Sequence, residues 1–153
     1  MPTTTTPPAA SMAGAILRRV AETPALANAL TGGIFDGIGR FSPPDAFRTM
    51  PFLQLHSIAQ PRHYDTGGLT WRDYRFQADI YGPDHDAVTT IADAFEAAFC
   101  PSMSPLPCVG QLSMVAYVTG GIDGLDDSFL SKNVQLYRAS LDLVVQANRV
   151  AAG

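Results

Sequence analysis

The sequence predicts an α+β fold: a mainly antiparallel four-stranded sheet with two helices packed on one face and long hairpin loops. Three observations predict it. Between Trp71 and Tyr81, the residues Tyr74, Phe76, Ala78 and Ile80 are apolar while Asp73, Arg75, Gln77 and Asp79 are polar. That period of two gives a strand one face on a core and one on water or a partner. Val88, Ile91, Ala92, Phe95, Ala98 and Phe99 recur at helical spacing, an apolar stripe about four turns long. The elements also run helix, strand, strand, helix, strand, strand. Two of the three strand-to-strand links read as loops, whereas parallel winding needs a helix at nearly every crossover.

Residues 1–10, MPTTTTPPAA, read as a flexible arm, and residues 11–153 as a single domain. Met12, Ile16, Leu17, Val20 and Ala21 then fall at helical spacing, with Ser11 as N-cap. Thr23-Pro24 interrupts, because proline inside a helix removes a hydrogen bond and clashes one turn back. With Pro24 at a first helical position the helix restarts and runs to Leu30, and Gly32-Gly33 ends it. The N-terminal helix is therefore in two parts. Residues 34–51 read as loop with a short extended piece at Ile34-Phe35. FLQLHSI (52–58) is the first long strand, entered through Pro51, and 59–68 its hairpin connection. QLSMVAYVT (111–119) and NVQLYRASLDLVVQA (133–147) are two further strands. In the last, Tyr137, Ala139, Leu141, Leu143 and Val145 line one face, and Arg138, Ser140 and Asp142 the other. The connection 120–132, GGIDGLDDSFLSK, is an acidic, glycine-rich hairpin loop.

Composition narrows the function. A chain of 153 residues with 46% hydrophobic and 16% charged residues is an ordinary folded domain. Net charge is −4, and the nine arginines and single lysine, Lys132, are scattered. No basic stripe invites a phosphate backbone, so no specific nucleic-acid partner is expected. No run reaches the roughly 20 apolar residues of a membrane span, and the N-terminus lacks the charge and apolar core of a signal peptide. No membrane partner is expected, and synthesis in the cytoplasm is. Cys100 and Cys108 are expected as free thiols, since two thiols alone do not complete a zinc site.

The densest titratable stretch is YRFQADIYGPDHDAVTTIADAFEAAF (74–99), with Asp79, Asp84, His85, Asp86 and Asp93. Aspartates in a first helical turn satisfy unpaired N–H groups and suit the positive end of the helix dipole. Consecutive side chains there diverge, so Asp84, His85 and Asp86 do not converge on one ion. The reading is a cap. His63-Tyr64-Asp65 lies in a hairpin loop without a nucleophile motif. GGIDGLDDS (120–128) fails the EF-hand spacing and reads as a docking loop. No catalytic, cofactor or metal residue is assigned. The polar strand faces supply a candidate interface at Arg75, Asp79, Arg138 and Asp142, with Arg72 the exception on the apolar side, and these side chains would pair either across strands or across a subunit boundary. A solvated face gives the same alternation, so both readings stand.

Four stretches carry a resemblance: AGAILRRVAETPALANAL, GGIFDG, MPFLQLHSI, and the strand–turn–helix of residues 74–99, with YRASLDLVV in the expected later place. Together they resemble the tail-completion, or tail-terminator, proteins of long-tailed bacteriophages and related gene transfer particles. Residues 100–132 match nothing in that pattern and suit a different neck protein equally. The resemblance implies a structural virion protein of the tail or neck. Copies would assemble as a ring, commonly a homohexamer, that caps the tail tube protein and meets the head–tail connector protein. It implies no catalytic residues and no cofactor. An acidic loop bearing Asp123, Asp126 and Asp127 would face the lumen, where like charge lets DNA pass, or would dock on a neighbour. The alternatives are a different neck adaptor, or a small-molecule binder or enzyme with a pocket between helices and sheet containing His56 or Tyr74.

Overall fold

A computed structural model describes residues 11–36, 50–59, 62–65, 68–99, 107–108, 111–126 and 136–149. The arm 1–10, Asp127, Cys100 and the segment 127–135 lie outside the described residues. Helix α1 (Met12–Glu22) is capped by Ser11, whose Oγ accepts from the Gly14 N–H at 3.0 Å. Thr23 closes α1 and opens α2 (Pro24–Ala29), with proline in the first turn where no N–H is needed. The Thr23 hydroxyl donates to the Arg19 carbonyl of α1 at 2.7 Å, and the Thr23 carbonyl accepts from the Leu26 and Ala27 N–H groups of α2 at 3.0 and 2.8 Å. The expected two-part helix is present. Gly33 has φ 103°, a left-handed conformation that glycine adopts without strain, and it starts strand β1 (Gly33–Asp36). Two hydrogen bonds tie this turn to the entrance of the next strand, Gly32 N–H to the Pro51 carbonyl at 2.7 Å and the Thr31 hydroxyl to the Met50 carbonyl at 2.9 Å.

The remaining elements are β2 (Phe52–Ala59), β3 (Arg62–Asp65), β4 (Gly68–Gly82), α3 (His85–Phe99), β5 (Pro107–Cys108), β6 (Gln111–Asp126) and β7 (Leu136–Arg149). The strands form one seven-stranded sheet in the order β1-β2-β4-β7-β6-β5, with β3 also paired to β4. All pairs are antiparallel except β1 with β2, which are parallel. The α+β class is as expected, and the four expected strands are the contiguous centre β2-β4-β7-β6. The expected four-stranded antiparallel sheet is corrected to a larger, mixed one. Strands of two to four residues are too short for alternation to be read, and a parallel neighbour leaves no hairpin signal. Two expected loops are also partly strand. Residues 62–65 pair with β4, and β6 continues through Gly120 to Asp126, paired residue by residue with β7.

The core lies between the helices and one face of the sheet. Register aligns Leu53 with Ile80 and Leu55 with Ala78, then Ile80 with Ala139, Phe76 with Leu143 and Tyr74 with Val145. These residues are buried in one cluster with Ile16 and Val20 of α1, Leu26 of α2, and Val88, Ile91, Phe95 and Phe99 of α3. All three helices therefore cover the same face. The Arg19 guanidinium lies 6.0 Å from the Phe99 ring centroid, and burial lowers its pKa while Glu22 partly opposes that.

The turn from β4 into α3 depends on a missing side chain. A Cβ on Gly82 would sit 2.7 Å from Val88 Cγ2, and Val88 is buried in the first turns of the helix. Gly82→Ala is expected to destabilise by about 1–3 kcal/mol through overpacking. Combined with Val88→Ala, it should cost less than the two single losses added together. A double-mutant cycle by urea unfolding measures this coupling. Strictly additive losses would refute the steric account.

Candidate functional site

The sheet face opposite the helices is polar and partly buried, and one carboxylate organises it. Register sets Gln54, Asp79 and Ser140 in one row across β2, β4 and β7, and His56, Gln77 and Asp142 in the next. Asp79 is 4% exposed. Its Oδ1 accepts from the Ser140 hydroxyl at 2.6 Å and from Gln77 Nε2 at 2.9 Å. Its Oδ2 lies 3.2 Å from His56 Nε2, on an imidazole 35% exposed. Gln54 is buried beside them, and below it Phe52 stacks on Tyr81 with ring centroids 4.8 Å apart. A buried carboxylate is tolerable when several donors replace its water, and here the sheet itself supplies three. Ser140 bonds the carboxylate and not the imidazole. This is therefore no nucleophile–base pair, whose hydroxyl must donate to the base. The arrangement staples three strands.

The four candidate interface residues do share this face, in register with Val144 (Arg75), Ser140 (Asp79), Tyr81 (Arg138) and Gln77 (Asp142). Arg75, Arg138 and Asp142 are exposed. Asp79 is corrected: it is the buried centre of the staple and presents nothing at the surface. Sequence reasoning missed His56, Gln77 and Ser140 as its partners. The alternation of each strand put them on polar faces, but which strands lie side by side is not local information. Arg72 is indeed on the apolar side, opposite Ala147. Its Nη1 donates to Tyr74 Oη at 3.3 Å, and its guanidinium lies 5.6 Å from that ring. Of the two residues named for a pocket between helices and sheet, Tyr74 is buried on the helix side and His56 lies on the opposite face.

The stretch Asp84-His85-Asp86 is a helix cap, as its spacing indicated. Asp84 Oδ1 accepts from the Ala87 N–H at 2.8 Å and the Asp84 carbonyl from Val88 N–H at 3.4 Å. His85 lies edge-on to Tyr137 with centroids 6.2 Å apart. Among the described residues, no three His, Cys, Asp or Glu side chains come together as a metal would require, and no helix is long and apolar enough to cross a membrane. Asp123 and Asp126 lie in β6, in register with Ala139 and Leu136, and so are strand residues, not residues of a loop.

No family model and no curated protein matches the chain. Solved structures do. A chain of the "Virion of native gene transfer agent (GTA) particle" superposes with TM-score 0.71 at 10% identity, over 90% of this chain and 95% of that one. This is the fold of a gene transfer agent virion component. A second solved protein superposes with TM-score 0.51 at 18% identity, over 88% of this chain and 96% of the other. At such identities the likeness to the virion component is one of fold. The likeness covers nearly all of both chains.

Proposed function

We propose that this chain is a structural virion protein of a tailed phage or gene transfer particle, and that it forms the ring which terminates the tail tube and joins it to the head connector. The observation that carries the reading is the fold shared with a gene transfer agent virion component over 90% of this chain. The particle is the coarser part of the proposal. The ring, its six copies, and its tube and connector partners are the finer part, supported by the four stretches that resemble tail-terminator proteins. The mechanism is binding geometry: a closed cyclic interface between copies, with tube contacts on one side and connector contacts on the other. No catalytic step is assigned. The Asp79 staple suits such a role, because it holds three long strands in one register, with Arg75, Arg138 and Asp142 exposed on the same face. Asp123 and Asp126 in β6, with the adjoining Asp127, are proposed as the lumen-facing or docking acids.

The test is native mass spectrometry with negative-stain imaging of the purified chain across a concentration series. A closed ring with an open centre, six copies by mass, is the expected result. Binding of that ring to the end of isolated tail tubes would separate a terminator from another neck adaptor. A chain that stays monomeric, and that neither tubes nor connectors recruit, would overturn the proposal.

A further inference from the structure

Resting on the ring reading, we infer that neighbouring copies meet through the outer stripe of α3 on one and the Ile58–Arg75 patch on the next. A closed ring needs two different, complementary surfaces on each copy, since head-to-tail contacts are heterologous. The chain carries such a pair on opposite faces of its sheet. On the helix side, Asp86, Thr90, Asp93, Glu96 and Ala97 are exposed along α3, a helix containing no lysine or arginine. That stripe joins three acids to small residues that let a partner approach closely. On the other side, the ladder between β2 and β4 shifts register between Ser57 and Ala59, leaving Ile58 as an extra residue. A bulge of this kind re-aims a side chain. Ile58 is 56% exposed, the one exposed large apolar side chain among the described residues. Opposite Ala59 stands the exposed Arg75, and the half-exposed His56 lies in the adjacent row. An aliphatic knob beside a cation is the complement of a small-residue helix face edged with carboxylates. The occupant of each surface is therefore a second copy of this chain.

Charge exchange tests this with the full chain. Arg75→Glu and Ile58→Asp alter exposed side chains, so circular dichroism and melting temperature should match the unmodified protein. Each should raise the concentration of half-assembly at least about tenfold, the loss expected for one good interfacial contact. Arg75→Glu combined with Asp93→Arg and Glu96→Arg should restore assembly. Rings that form normally with Arg75→Glu and Ile58→Asp, or a charge-exchanged chain no better than Arg75→Glu alone, would overturn the inferred surfaces and leave the ring intact. An unmodified chain that forms no ring at any concentration, and that neither tubes nor connectors recruit, would overturn the ring reading itself, and the surfaces with it.

Discussion

Phe95→Ala is expected to cost about 3–5 kcal/mol, the range for removing a fully buried aromatic ring and leaving part of its volume empty. Phe95 is 0% exposed and its ring centroid lies 4.8 Å from that of Phe99. It sits in the middle of the stripe Val88, Ile91, Phe95 and Phe99 by which α3 covers the sheet. The cavity would open where helix and sheet are pinned from both sides, so collapse can recover little. At about 2–4 °C per kcal/mol for a chain of this size, the melting temperature should fall by roughly 6–20 °C. Phe95→Leu should lose less than half as much, because most of the volume is kept. Glu96→Ala, one position along on the exposed side, should stay within about 0.5 kcal/mol. A loss below about 1 kcal/mol for Phe95→Ala would mean that α3 is not seated on the sheet as described.

The legible parts of this structure are those encoded over short distances. Alternation along Tyr74–Ile80 identified the core face of β4 residue by residue, and the cap at Asp84 followed from its place before an apolar helical stripe. Thr23-Pro24 marked the helix break because proline cannot sit within a helix. What stayed hidden depends on which strands become neighbours. Asp79 and Ser140 are 61 residues apart in the chain, and their hydrogen bond exists only because β7 lies beside β4. Polar alternation on β4 looked the same whether its odd positions faced water or, as with Asp73 and Asp79, were buried. The exposed members of the candidate interface, Arg75, Arg138 and Asp142, were therefore legible as a face. The buried member was legible only as a charge. The bulge at Ile58 had no signature either, since one extra residue in a ladder depends on the partner strand as much as on its own sequence.

Asp79→Ala is the second large effect, expected to cost about 2–4 kcal/mol. Removing one partner of a buried charged network strands the others, and hydrogen bonds to charged groups are worth about 1.5–3 kcal/mol each. Three donors lose their acceptor at once: the Ser140 hydroxyl, Gln77 Nε2 and His56 Nε2. His56 is 35% exposed on its side chain, so water recovers part of its share. That keeps the estimate below a simple sum. Asp79→Asn separates charge from connectivity. Its amide oxygen can still accept from Ser140 and Gln77, and its amide nitrogen can face His56 once the imidazole proton moves to Nδ1. A loss of about 1 kcal/mol is therefore expected for Asn, against the larger figure for Ala. Urea unfolding of the two variants at pH 7 measures the difference. If Asn and Ala lost equally, the staple would act through its charge alone. If both lost little, the three strands would hold register by their apolar face, and the polar face would be free to serve contacts between copies without any cost to the fold.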